Sequence, residues 1–383
     1  MCSELKYRTL MRNLFLIIML AAAFTSSANK PYVTQIFDYV PAPGQFVNVI
    51  PSYEDGFTRQ DMLDQVAEKI CGYEDRNGKV VIANSYITLG AFGGYVVFGF
   101  DHPLVNRPGE RDFKVRGNSF GSSSASGGGS SEPGIVMVSR DDNGNGLPDD
   151  AWYEIAGKLY NHPKTQHGYE ITYYRPVIGD DWEDAATQVR WTSNDPDSLR
   201  EGYIDEMRQF VHYQTYWPMW LRDKATLTFR GTKVPNNAVN KGTAAEPYYV
   251  LMYVGWGYAD DLPNDQDTGL DLDWAVDDDG NRVWLDHIDF VKVYTAVNQK
   301  CGWLGETSTE VAGAEDLHPD EPLPVMGDVN GVDGVDVGDV VAIANHVLGE
   351  SPTGFNPRLA DINLSAYVDI SDVVLLANRI LGN

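Results

Sequence analysis

Cysteine is scarce in this chain: three residues in 383, one of them, Cys2, at the extreme N-terminus. That excludes a disulfide-dense mini-protein and a four-cysteine zinc site. Cys71 and Cys301 remain, and on sequence alone they are either one bridge or two buried thiols. Histidine is sparse too, and none of the seven stands in a His-Glu-x-x-His or other zinc-ligand spacing. No phosphate loop and no dinucleotide fingerprint occurs. Basic residues number 29 against 55 acidic ones, giving a formal net charge of −26. So acidic a surface repels nucleic acid and anionic membranes.

Long apolar runs are missing except for Leu14 to Phe24, which Arg8 and Arg12 precede and Ser26-Ser27-Ala28 follows. It is too short to span a bilayer and has the form of a secretory leader cleaved after Ala28, with Met1 or Met11 as the start. Cys2 precedes the run, which argues against a lipid anchor. The expected mature protein is secreted, whether extracellular, at the cell surface or periplasmic, and has no transmembrane segment. Loss of Glu4, Lys6, Arg8 and Arg12 moves the formal charge from −26 to −28.

What is present is a hydrophobic fraction of 43% with 21 Tyr and 9 Trp, enough for a sizeable core. From Val80 to Val293 the segments VVIANSYITLG, GGYVVFGF, GIVMVSR, WYEIAG, YEITYYRP, ATLTFRG, YYVLMYV and IDFVKVYT are short, rich in β-branched and aromatic residues, and closed by Gly, Asn, Asp or Pro. Many short strands without long helices between them predict a mainly β sandwich or barrel. One helix is expected in TRQDMLDQVAEKI, with Thr58 as its cap and Met62, Leu63, Val66 and Ile70 on one face. The tract 117–134, GNSFGSSSASGGGSSEPG, reads as a flexible loop. Its Gly117-Asn118-Ser119-Phe120-Gly121 matches the serine-hydrolase elbow, but Ser and Gly follow where that elbow needs a helix, so Ser119 is not expected to be a nucleophile. Pro319, Pro322 and Pro324 mark a boundary. The division is a leader (1–28), a β-sandwich ligand-binding domain with an N-terminal helical segment (29–320), a linker (321–326) and a C-terminal module (327–383).

That module is an internal duplication, with Asp361 standing 33 residues beyond Asp328. From Asp328 as position one, oxygen donors fall at Asp328, Asn330, Asp336 and Asp339; from Asp361, at Asp361, Asn363, Ser365, Asp369 and Asp372, with Tyr367 at seven, where a backbone carbonyl serves. This is the spacing by which alternate side chains converge on one calcium ion. The segment resembles a type I dockerin, the duplicated loop-helix module that docks onto cohesin domains. The resemblance implies Ca²⁺ in both loops, a cohesin-like protein partner, and partner-reading positions ten and eleven at Val337, Gly338, Ile370 and Ser371. It departs from the family at positions five and six, where Val332 and Asp333, then Ser365 and Ala366, stand for the usual Asp-Gly; Asp333 is the candidate substitute ligand. Helix faces Val340, Ile343, Ala344 and Val347, and Val373, Leu376, Ala377 and Ile380, are expected to pack the copies together. The competing reading is a calcium-stapled cap that packs only on its own sandwich.

A third acidic loop, RDDNGNGLPDDAW, repeats the spacing: Asp141, Asn143 and Asn145 at one, three and five, Gly146 at six, the Leu147 carbonyl at seven and Asp149 at nine. Position twelve is Trp152, so Asp150 is expected to contribute instead. It resembles the calcium loops of thrombospondin-type repeats set into a hairpin; the alternative is an Asn-Gly turn with its acids in water. Segments between 80 and 300, among them ITLGAFGGYVVFGFDHPL and PGIVMVSRD, resemble bacterial secreted and surface proteins with a galactose-binding-like jelly roll, which implies a sugar or other surface ligand. HYQTYWPMWL offers Tyr213, Tyr216, Trp217 and Trp220 as flat contact faces or as core. Trp256 and Tyr258 with Asp260, Asp261, Asp265 and Asp267 form a loop rim or a further cation site. The expected function is ligand recognition by a secreted, calcium-binding protein. The alternatives are a glycan-cleaving hydrolase and a surface protein capturing a glycan or cobalamin for outer-membrane uptake.

Overall fold

The computed structural model describes residues 29–122, 125–177, 188–196, 200–204, 215–363, 365 and 367–382. The leader and Tyr213 lie outside them. The architecture is mainly β, built of antiparallel sheets. The largest runs, in spatial order, Gln35–Val40, Tyr95–Val105, His287–Thr295, Gly134–Ser139, Trp152–Ile155, Ala275–Val276. Its period-two alternation feeds two separate cores. Val136 and Val138 join Val96, Phe98, Val291 and Val293 on one face, while Ile135 joins Tyr294 on the other. A sheet buried on both faces needs apolar residues at successive positions, which is why GIVMVS carries no charge.

Against the first face lies helix α1 (Arg59–Ile70), whose Met62, Leu63, Val66 and Ile70 are buried as their spacing predicts. Thr58 caps it in a reciprocal box with Asp61. The second face meets a four-stranded sheet ordered Glu201–Ile204, Val189–Ser193, Gln166–Tyr174, Thr226–Lys233, which contributes Tyr169, Ile171, Tyr173, Trp191, Leu227 and Phe229.

Two expectations need correction. The strands are not gathered into the two sheets of a jelly roll; among the described residues they divide into six antiparallel sheets, of which the six-stranded sheet and one four-stranded sheet share the second core. The Ser/Gly tract is not a loop either, since Phe120–Ser122 and Ala125–Ser130 pair as strands and Leu251 and Met252 pair with Gly129 and Gly128. Glycine is used here for proximity: a Cβ on Gly129 would lie 2.0 Å from the Phe120 carbonyl oxygen.

The C-terminal segment folds as helices α2 (Val337–Val347), α3 (Pro357–Ala360) and α4 (Ile370–Leu381), with Val329, Ile343, Leu359, Ala360 and Leu376 as its own core. Trp284 of the body packs against that core, and Arg358 lies over the Trp284 ring while pairing with Asp273. Among the described residues no helix is long and apolar enough to cross a membrane.

Candidate metal centres

The hairpin joining Gly134–Ser139 to Trp152–Ile155 carries the first acidic loop, and its base is set by Trp152 opposite Ser139. Asp141 folds the loop over itself, its Oδ1 accepting the Asn145 N–H at 3.0 Å and its Oδ2 the Gly146 N–H at 2.7 Å. Asn143 Oδ1 accepts the Asn145 N–H and Asn145 Oδ1 the Leu147 N–H. Both amide groups turn toward Asp149, donating to Oδ1 at 3.0 Å from Asn143 and to Oδ2 at 3.1 Å from Asn145. Gly144 and Gly146 take positive φ of 70° and 72°. The Leu147 carbonyl accepts the Asp149 N–H. Asp150 Oδ2 is enclosed by protein yet accepts no hydrogen bond among the described residues.

The first tail loop repeats this backbone. Gly331 and Asp333, at positions four and six, have φ of 66° and 63°, so Asp333 occupies the left-handed turn that glycine fills in the hairpin loop. Aspartate tolerates that region better than most residues, and Asp333 lies exposed at the turn. Asn330 Oδ1 accepts the Val332 N–H, and Asp336 caps α2 through the Gly338 N–H at 2.6 Å. Asp328 Oδ1 is buried without a hydrogen bond among the described residues. In the second loop the Ser365 N–H donates to both Asp361 Oδ1 and Asn363 Oδ1 at 2.9 Å, the Tyr367 carbonyl accepts from Ser365 Oγ, and Asp369 caps α4 through Ser371. The position-twelve acids Asp339 and Asp372 are both fully buried, each reaching back to the N–H of its helix cap.

These residues fit a hard cation on two observations. All donors are oxygens, the set that calcium prefers. The orphaned oxygens of Asp150 and Asp328 also sit in the loops that the spacing selects, and a buried acceptor without a donor is costly unless something else binds it.

A further cluster joins Asp260, singled out in the sequence, to two acids that were not. Glu132, Asp260 and Glu310 each place an oxygen within 4.8 Å of the others. Asp260 is held rigidly: Oδ1 accepts the N–H groups of Asn118 and Ser119, and Oδ2 that of Glu310. Glu132 accepts from Ser308 N–H and Ser130 Oγ, and Glu310 Oε1 from Ser308 Oγ at 2.7 Å. Glu132 and Glu310 border a cavity of ≈ 320 Å³ together with Glu306, Asn118, Phe46, Tyr86 and Phe120. Burial pushes Glu132 up to about 7 and Glu306 up to about 8. Glu310 and Asp260 are raised well above the carboxylate range, by burial first and then by the charge of Glu132. The one available sequence signal was a lone acid in each of two uncharged, hydroxyl-rich stretches, Ser130-Ser131-Glu132 and Ser308-Thr309-Glu310.

The aromatic stretch is placed differently from the expectation. Tyr216 and Trp217 are sealed in the second core, leaving no face for a ligand, and Trp220 is half-buried, stacking on Tyr39 at 5.7 Å and Tyr53 at 6.3 Å. Of the other acidic cluster, Asp265 and Asp267 are exposed and Asp261 is buried, accepting from Ser131 Oγ and the N–H groups of Val254 and Gly255. Only Asp260 contributes to the buried cluster. Ser119 is buried with its Oγ donating to the Asp261 carbonyl. Cys71 and Cys301 are unbonded thiols, both raised in pKa by burial. A scan against protein-family models gives no match, and a search of curated proteins gives none either.

Proposed function

We propose that this is an exported, calcium-stabilised β protein whose C-terminal loop-helix pair, of dockerin type, tethers it to a cohesin-like protein. The observation that carries the reading is Asp328 Oδ1, buried and without a hydrogen-bond donor at position one of a loop that already presents Asn330, Asp336 and Asp339. An ion there offsets the mutual repulsion of the acids and fixes the entry to α2; Asp361, Asn363, the Tyr367 carbonyl, Asp369 and Asp372 do the same for α4, and Asp141, Asp149 and Asp150 for the hairpin. Docking is supported by the surface the two copies leave outward. Val337 and Ile370 are 65% and 62% exposed, Val341 and Val374 52–53%, and the two pairs sit at equivalent positions of the repeat. Gly338 and Ser371 are exposed beside them. Apolar side chains kept in water at duplicated positions suit a protein partner. The ligand role of the body passes from the buried aromatic stretch to the cavity walled by Phe46, Tyr86 and Phe120.

Calcium titration of metal-free protein followed by thermal melting tests the metal part. At one hundred times Kd a single site adds about 2.7 kcal/mol, so a rise of several degrees is expected, and a melting temperature indifferent to chelator sinks it. For docking, the Val337→Asp/Ile370→Asp double variant is expected to keep its melting temperature while losing binding to an immobilised cohesin-type domain; unchanged binding removes that part.

A further inference from the structure

The buried trio poses a charge problem that neither the tail nor the hairpin addresses. Three carboxylates within 4.8 Å of one another cannot all ionise unless a cation joins them or protons neutralise them. Among the described residues no lysine or arginine forms an ion pair with Glu132, Asp260, Glu306 or Glu310. Asp260 accepts three backbone N–H groups, an arrangement that favours its charged form. Gly117 permits it: a Cβ there would lie 2.1 Å from Asp260 Oδ1.

A second observation points to a ligand rather than to protons alone. Glu306, the enclosed fourth carboxylate on the wall shared with Glu132 and Glu310, has an Oε1 that is buried and accepts no hydrogen bond, and so has the Oδ1 of Asn118, whose own N–H holds Asp260. Proton sharing within the trio supplies neither with a donor. A cation coordinates oxygen directly or through a bound water.

We propose that Glu132, Asp260 and Glu310 form an internal site for a hard divalent cation at the floor of the cavity whose wall carries Glu306 and Asn118. The oxygen-only donor set selects Ca²⁺, Mg²⁺ or Mn²⁺ over zinc or copper. Glu132 and Glu310 line the cavity, while Asp260 is not among its lining residues. The site is separate from the three loops, so it stands or falls independently of the calcium reading above.

The test is equilibrium dialysis of metal-stripped full-length protein against Ca²⁺ and, separately, Mn²⁺, comparing wild type with Glu132→Gln and Glu310→Gln. Each glutamine variant is expected to bind one equivalent fewer, while Asp328→Ala and Asp361→Ala lose loop equivalents and keep this one. Removing one of the crowded charges is also expected to raise the melting temperature of the metal-free protein, which distinguishes lost binding from lost folding. Equal stoichiometry for both metals in wild type and both glutamine variants overturns the proposal. So does a crystal soaked in Mn²⁺ that shows no anomalous peak between the three carboxylates.

Discussion

Asp339 Oδ1 accepts the backbone N–H of Val329 at 2.8 Å, so the first turn of α2 holds the second residue of the loop that leads into it. Its other oxygen takes the Asp336 N–H, and Asp372 repeats the link to Asp369 in the second copy. The same carboxylate therefore ties the loop to the helix that follows it.

Substituting Asp339→Ala is expected to cost about 3 kcal/mol, since it removes a cap and strands buried N–H groups. The loss should be confined to the tail: hydrogen exchange should accelerate in α2 and leave α1 protected. Unchanged protection of α2 contradicts this account.

Glu154 supplies a pH dependence outside every proposed metal site. It is half-buried, accepts from Thr232 Oγ1 at 2.5 Å, and desolvation raises its pKa to about 7. A carboxyl whose folded pKa exceeds its unfolded value of about 4.3 contributes stability that is fully present below the unfolded value and is lost as pH rises through the folded one. Thermal melts in chelator between pH 5 and 8 should therefore fall with pH. Glu154→Gln should flatten that slope, by up to about 1.4 kcal/mol per pH unit, and an equally steep slope in the variant rejects the assignment.

Gly129→Ala tests the Ser/Gly tract as a sheet. The added methyl meets the Phe120 carbonyl and the Ser122 nitrogen, at 2.0 and 2.8 Å, both backbone atoms that cannot swing aside. A loss of about 2 kcal/mol or more is expected in urea unfolding. A neutral substitution would mean that Phe120–Ser122 and Ala125–Ser130 are not paired in solution.

What was legible in the sequence follows from which interactions are local. The position and cap of α1 could be read because its face repeats within thirteen residues, and the loop spacings because their hydrogen bonds span five residues or fewer at Asp141 and Asp361. The division into separate sheets was not legible, since partners such as Gln35–Val40 and Tyr95–Val105 are chosen across long stretches of chain. Asp260 was singled out with its sequence neighbours as partners, whereas Glu132 and Glu310, its partners in space, were missed for the same reason: each is an ordinary acid until three distant segments meet. The tract around Gly128 and Gly129 misled because glycine chosen for close backbone approach has the composition of glycine chosen for freedom.

Trp284 belongs to the body by chain position and to the tail by its apolar neighbours, with Arg358 laid over its ring. Cutting the chain at the proline-rich stretch would leave an indole exposed on one fragment and a gap beside Leu359 on the other. The tail is therefore joined to the body twice over, by the chain itself and by the patch around this ring, so that loosening Trp284 would free one attachment and leave the other.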